Sequence, residues 1–309
     1  LSLPAPRVLI LLASYNGGIW IQEQLNSILN QSNVALRIIV RDDASVDGTA
    51  DVVRRTSLID PRVELKTAST TSGSAAQNFF SLIRDHDAKD FDYIALSDQD
   101  DIWEEDKLGR ATDILSKSGA CGCSTAVTAV WPNGGTRLLR QNPHLTEADF
   151  LFEGAGQGCT FVMTSALYSR LRTFFHDHPP LTQEIHYHDW TIYALTRAWR
   201  LPWYFDPKSS LQYRQHRNND TGARGTLDSI TTRLARISNG WYRQQLILIS
   251  AVSLAAAPQD LRISQWHILM RRRPSLTKRL DTAFFCLRRG RRRASDNVIL
   301  VLSAILGWI

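Results

Sequence analysis

Tyr93-Ile94-Ala95-Leu96-Ser97-Asp98-Gln99-Asp100-Asp101-Ile102-Trp103 joins an apolar run of strand length to three carboxylates and then turns apolar again. Acids crowded at the C-terminal end of a buried strand repel one another unless a cation or many hydrogen bonds offset the repulsion. An oxygen-only ligand set of this kind suits a hard divalent ion, Mg2+ or Mn2+, above all one that also binds phosphate oxygens. The alternative at this point is a solvated acidic loop.

Upstream of that stretch, strands and helices alternate. Val8-Leu9-Ile10-Leu11-Leu12 is a continuous apolar run, residues 19–29 carry Ile21, Leu25, Ile28 and Leu29 at helical spacing, and residues 36–40 form another short apolar run. The turn Asp42-Asp43-Ala44-Ser45-Val46-Asp47-Gly48-Thr49 leads into a helix at about 50–55, with Asp43 and Asp47 open to a plain capping and turn role. A strand over 63–66, a helix over 77–84 and the strand over 93–96 complete the pattern. Such β-α steps predict an α/β fold with one mostly parallel central sheet flanked by helices, whose ligands gather beyond the strand C-termini. The loops after Leu12, Val40 and Leu96 then share one rim.

Beyond residue 110 the pattern is less regular. It predicts a helix over 107–117, strands over 126–131 and 158–163, a flexible loop Gly154-Ala155-Gly156-Gln157-Gly158, and helices from Thr226 onward. The glycine loop lacks the strand-then-helix setting of a dinucleotide fingerprint, so backbone approach to a ligand and an ordinary loop both remain open. His188-Asp189-Trp190 precedes an amphipathic segment, where Asp189 either caps the helix or faces a cleft as a base. Tyr213-Arg214-Gln215-His216-Arg217-Asn218-Asn219 sets a histidine between cations, which favours the neutral, metal-binding imidazole.

Charge and composition bound the setting. The net charge is +6, yet residues 261–293 hold 11 Lys or Arg against the single acid Asp281, leaving the remainder mildly acidic. Basic clusters alternating with apolar pieces predict attachment to an anionic membrane surface, and no nucleic-acid motif competes. Four cysteines without zinc-like spacing predict a reduced compartment. No apolar stretch reaches the ~18 to 20 residues a membrane span needs. The first residues lack a signal-peptide layout, and the missing initiator Met points to a trimmed chain. Together these predict a cytosolic protein, or one peripheral at the cytosolic face of a membrane, which the family resemblance described next narrows to the cytoplasmic, inner face of a bacterial inner membrane.

The segments Leu12-Ala13-Ser14-Tyr15-Asn16-Gly17, Gln24-Leu25-Asn26-Ser27-Ile28, Arg41 through Thr49, and Ser97 through Trp103 with Lys107-Leu108 closely resemble the family 2 glycosyltransferases of GT-A fold. His188-Asp189-Trp190 and Tyr213-Arg214-Gln215-His216 with Asn219 and Gly222 resemble the bacterial rhamnosyltransferase-like branch, so the likeness covers roughly residues 7–223. It implies a glycosyltransferase domain over 1–225, with a nucleotide half to about 110 and an acceptor half to 225, followed by a helical basic extension over 226–309.

The resemblance also implies roles. Ala13, Tyr15, Asp42, Asp43, Asp98 and Lys107 would hold the nucleotide. Asp100 and Asp101, with His216, would hold Mg2+ or Mn2+, though overlapping Asp-x-Asp choices leave the ligand among Asp98, Asp100 and Asp101 open. Arg214 and Arg217 would neutralise the diphosphate, and Trp103, Gly156, Gln157, His188 and Trp190 would meet the acceptor. Asp189 would be the general base of an inverting transfer. The implied donor is a dTDP- or UDP-linked sugar, first of all dTDP-L-rhamnose. The implied acceptor is a surface saccharide, lipopolysaccharide core or O-antigen, possibly lipid-linked. Two other classes stay open. A nucleotidyltransferase would need a cationic triphosphate loop where Ser14-Tyr15-Asn16-Gly17-Gly18 stands, and a saccharide-binding scaffold would release no nucleotide.

Overall fold

The computed structural model describes residues 4–216 and 235–309. Arg217, Asn219 and Gly222 lie outside the described residues, as does the expected boundary near 225.

Four parallel strands form the first half of the sheet: β1 (Arg7–Ser14), β2 (Ala35–Asp42), β3 (Val63–Thr67) and β4 (Tyr93–Ser97), in the order β3-β2-β1-β4. Residues 8–12 of β1 are wholly buried because α1 (Ile21–Leu29), α2 (Thr49–Ile59) and α3 (Ala75–Asp85) cover both faces, so alternation gives way to a continuous apolar run. Register aligns the strand ends: Ser14 pairs with Asp42, and Leu12 with Ser97. The three loops therefore do share one rim.

The second half is mixed. β8 (Val162–Thr164) runs antiparallel beside β4, followed by β6 (Gly122–Val130), β9 (Trp203–Arg214) and the short β5 (Ile102–Trp103), while β7 (Thr136–Leu139) hairpins onto β6. Two expectations need correction. The strand predicted over 158–163 begins as a 3-10 turn, Gly158–Thr160, closed by the Thr160 N–H on the Gln157 carbonyl at 3.0 Å, and only then enters β8. The loop 154–158 is not a loose one: Ala155 and Gly158 are buried. α4 (Lys107–Ser118), α5 (Ser165–Asp177), the single turn α6 (Pro179–Thr182) and α7 (His188–Ala198) complete this half.

The C-terminal helices α8 (Trp241–Ala256), α9 (Leu261–Arg271), α10 (Leu276–Arg289) and α11 (Ala294–Leu306) pack into the same core as the second half of the sheet and its helices. Leu246, Ile249, Trp266 and Phe285 meet Phe152 and Trp190 there, and the Trp266 ring packs edge-on to Phe152 at 4.6 Å. Past the exposed Arg288, the basic run 288–293 is not the free cationic patch that its spacing suggests. Arg292 is buried and donates to Asp149 and to the Gly154 carbonyl, Arg291 donates to the Phe152 carbonyl and the Tyr242 hydroxyl, and Arg289 pairs with Glu147. Asp149 is fully buried and requires such counter-charges.

Candidate active site

The rim is built by mutual hydrogen bonding between its loops. The Tyr15 N–H donates to Gln99 Oε1 at 2.8 Å, and Gln99 Nε2 donates back to the Tyr15 carbonyl at 2.9 Å. Gly17 permits this approach, since a Cβ there would stand 2.2 Å from the Gln99 side chain. Ser45 and Thr49 accept from the Asn16 and Gly17 amides, and Asp47 accepts from Gly18 while also receiving the Thr49 N–H, which bears out its turn role. Tyr15 stays half exposed above Ala13.

The two acids of the second loop face inward. Asp42 accepts from the Ser45 amide and hydroxyl at 3.0 and 2.6 Å. Asp43 accepts from Arg41, from the Ser72 amide and hydroxyl, and from Thr71, tying the rim to the loop before α3. Burial pushes the Asp43 carboxyl up, but the Ser72, Arg41 and Thr71 donors together outweigh it and hold the group below its ordinary value.

In the acidic loop the three carboxylates separate by depth. Asp100 Oδ2 meets His216 Nε2 at 2.8 Å, and the indole of Trp20 stacks on that imidazole at 4.2 Å. Asp98 is part-buried beside them. Asp101 lies beneath, 1% exposed, with neither oxygen hydrogen-bonded to oxygen or nitrogen among the described residues. Burial, then the Asp100 and Asp98 charges, push its carboxyl well above the usual range. Ligand atoms of Asp98, Asp101 and Cys159 lie within 4.8 Å of one another. Burial also pushes the Cys159 thiol up, so it keeps its proton and is a poor ligand for a hard ion. A buried acid whose one hydrogen-bond donor is the Cys159 thiol, beside two further carboxylates and an imidazole, fits a divalent cation.

Lys107 and Trp103 correct the expectation. Lys107 is buried under the acidic loop, where its ammonium donates to the Cys159 carbonyl at 3.1 Å and sits 4.5 Å over the Trp103 ring. Burial lowers its pKa to about 8, opposed by Cys159, Cys123 and Asp101. It balances Asp101 from below and cannot reach a nucleotide on the rim. Trp103 is 4% exposed and offers no face to an acceptor. Arg214 is paired with Glu23 of α1, one turn from Trp20.

In the second half Asp189 stands in the first turn of α7, after the N-cap Tyr187, and its Oδ1 accepts from the Trp190 N–H at 2.6 Å. It is not the cap. Trp190 is core: its indole N–H donates to the Phe150 carbonyl at 2.8 Å and its ring lies over Tyr242. His188, also buried, stacks on Phe79 at 3.9 Å. The Trp190 indole therefore shapes the wall rather than touching a ligand, whereas Gly156 and Gln157 remain part-exposed. Gln157 Oε1 is buried without a partner among the described residues.

The 3-10 turn joins the two sides. Gly158 presses against the His188 imidazole, where a Cβ would stand 2.2 Å from Nε2, and Cys159 touches the acidic loop and Lys107. Trp20, Gln99 and Cys159 have no role in the sequence-based reading. Trp20 carried a signal, an aromatic between a glycine pair and a helix; Cys159 carried none, because its neighbours come from β4 and α4.

Residues 9–172 match the family model "Glycosyl transferase family 2". The chain is 37% identical over 240 residues to the dTDP-rhamnosyl transferase RfbG of Shigella flexneri, covering 77% of this chain and 83% of that protein. It is 29% identical over 160 residues to the putative teichuronic acid biosynthesis glycosyltransferase TuaG of Bacillus subtilis, covering 51% of this chain and 62% of that one. Among solved structures, S. aureus TarS 1-349 superposes with a TM-score of 0.59 at 12% identity, covering 98% of this chain and 88% of that one. The mannosyltransferase PcManGT from Pyrobaculum calidifontis, in complex with GDP-Man and Mn2+, gives 0.53 at 17%, covering 97% and 86%. At such identities the superpositions speak to the fold, which is GT-A.

Proposed function

The chain belongs to glycosyl transferase family 2 and is a nucleotide-sugar-dependent glycosyltransferase, and on that premise we propose that it transfers L-rhamnose from dTDP-L-rhamnose, with inversion, to a saccharide hydroxyl. The acceptor is a lipid-linked bacterial surface saccharide such as lipopolysaccharide core or O-antigen, met at the inner face of the inner membrane. The observation that carries the donor is the 37% identity with a protein named dTDP-rhamnosyl transferase.

The base of the nucleotide lies against Ala13 and the exposed Tyr15, with Asp42 and Asp43 shaping the loops behind it and Asp98 facing the ribose. Arg214, tethered to Glu23, brings positive charge to the diphosphate side, with Arg217 beside it in sequence. Asp100 and His216, with Asp98 and Asp101 behind them, would hold Mg2+ or Mn2+, which neutralises charge growing on the leaving nucleoside diphosphate. Asp189 takes the proton of the acceptor hydroxyl as that oxygen bonds to the anomeric carbon. The carbon–oxygen bond to the diphosphate breaks with its electron pair, and one displacement inverts the centre. The backbone bond to Trp190 fixes the Asp189 carboxylate for this task. Gly156 and Gln157 face the acceptor.

Calorimetric titration of dTDP-L-rhamnose, UDP-glucose and UDP-N-acetylglucosamine, each with and without Mn2+, tests the reading together with nucleoside diphosphate release. Tightest binding and release with dTDP-L-rhamnose, dependent on the ion, is expected. Preference for a UDP-sugar would replace the donor, and metal-independent turnover would remove the ion.

A further inference from the structure

The helices α10 and α11 form an antiparallel hairpin: Gly290 at its turn meets Asn297, and Gly307 at its far end meets Arg279. Each helix sends one face inward, Phe285 and Cys286 from α10, Leu300 and Ala304 from α11, into the core shared with the acceptor half. The opposite faces are apolar as well. On α10, Leu276, Leu280, Phe284 and Leu287 recur at helical spacing, each 57–72% exposed. On α11, Val298, Leu302 and Leu306 stand four residues apart and are each more than half exposed.

A second apolar stripe on each helix, open to water beside the face it buries, calls for a cover. The charges beside this face identify one. Arg271, Arg273, Arg279 and Arg288 are exposed and form no ion pair with an acid among the described residues, and Arg288, Ile268 and Phe284 line one groove between α9 and α10 with Arg272, whose charge is met there by Asp281. A second copy of the chain docking through this face by a twofold would bring these like charges together. Anionic lipid headgroups would instead draw them in while acyl chains receive the leucines. No helix among the described residues is long and apolar enough to cross a membrane, so the contact is interfacial.

We propose that the outward face of the α10–α11 hairpin is the seat of this protein on an anionic lipid bilayer. The proposal rests on the reading of the protein as a membrane-side transferase and locates its contact in exposed leucines and flanking arginines, not in Arg291 and Arg292, which are bonded to the chain itself. Arg291 and Arg292 at the hairpin turn grip the carbonyls of Phe152 and Gly154, so the turn of the hairpin adjoins the loop 154–158.

Cosedimentation of the full chain with phosphatidylcholine vesicles, with and without a quarter of phosphatidylglycerol, tests this against the triple variant Leu280→Gln, Phe284→Gln, Leu302→Gln and the charge variant Arg273→Gln, Arg279→Gln, Arg288→Gln. The wild type should sediment with the anionic vesicles, and each variant should lose about tenfold or more in partitioning. Melting temperatures and nucleoside diphosphate release with soluble acceptor should stay at wild-type values, which separates loss of the seat from failure of the transferase reading. Unchanged sedimentation of the apolar variant, or no binding by the wild type, would overturn the proposal. So would a wild-type dimer in sedimentation velocity that the apolar variant turns into a monomer.

Discussion

Asp189 and Trp190 are chain neighbours in different settings: the indole is locked to the Phe150 carbonyl in the core, and the carboxylate, part-exposed, rides on the same first turn of α7. If that carboxylate takes the acceptor proton, Asp189→Asn should cut transfer by about 10²–10⁴. Donor affinity in calorimetry should stay within about twofold of wild type, since no donor contact is removed. A variant retaining near-wild-type transfer would remove Asp189 from the mechanism. Asp43 makes a separate, pH-dependent prediction. Its folded carboxyl titrates below the ordinary value, so its stabilisation is fully present above the unfolded value and is lost as pH falls through the folded one. The stability gap between wild type and Asp43→Asn, from urea unfolding, should hold constant from neutral pH to about 5 and close below about 4. A gap that widened in acid would contradict this. At this scale the sequence names the chemistry-bearing residues but not their direction. Lys107 belongs to a motif beside the acidic loop, and only the fold turns its ammonium down onto the Cys159 carbonyl.

The strands β1 to β4 were legible because each is a short apolar run between capping residues, and the run survives any choice of face when both faces are covered. β9 was missed. Its middle carries Asp206-Pro207-Lys208, polar and proline-broken, at the place where pairing with β6 slips register between Thr125 and Ala126. The segment 158–163 read as one strand because its apolar residues are contiguous, while the turn Gly158–Thr160 depends on what Gly158 meets across the cleft. That contact is testable. A methyl group at Gly158 would stand 2.2 Å from His188 Nε2, so Gly158→Ala must displace the imidazole from Phe79 or shift the start of α7. The expected cost is about 1–3 kcal/mol in urea unfolding. Turnover should fall through the displaced Asp189, with donor binding preserved. Wild-type turnover in the alanine variant would show that the turn does not set the position of the base.

Across the whole molecule, the basic C-terminal helices are legible as helices, yet their place is not, because the partners of their arginines lie about 140 residues earlier in the chain. Arg292 shares buried Asp149 with Arg197 and Tyr193, and also holds the carbonyl of Gly154 and, through its own amide, Glu153. Removing it leaves a buried carboxylate with fewer partners, at a cost of about 3 kcal/mol, the low end for a broken buried pair because Arg197 remains. Arg292→Met should therefore lower stability in urea as one cooperative transition, since Tyr242, Trp266 and Phe285 pack in the core that holds Phe152 and Trp190. Turnover should fall as well, because the glycine loop loses its clamp, while calorimetric donor affinity holds near wild type. Two resolved transitions, with the later one unchanged from wild type, would mean that the C-terminal helices fold as a separate unit. The loop 154–158 would then owe its shape to the β-sheet alone.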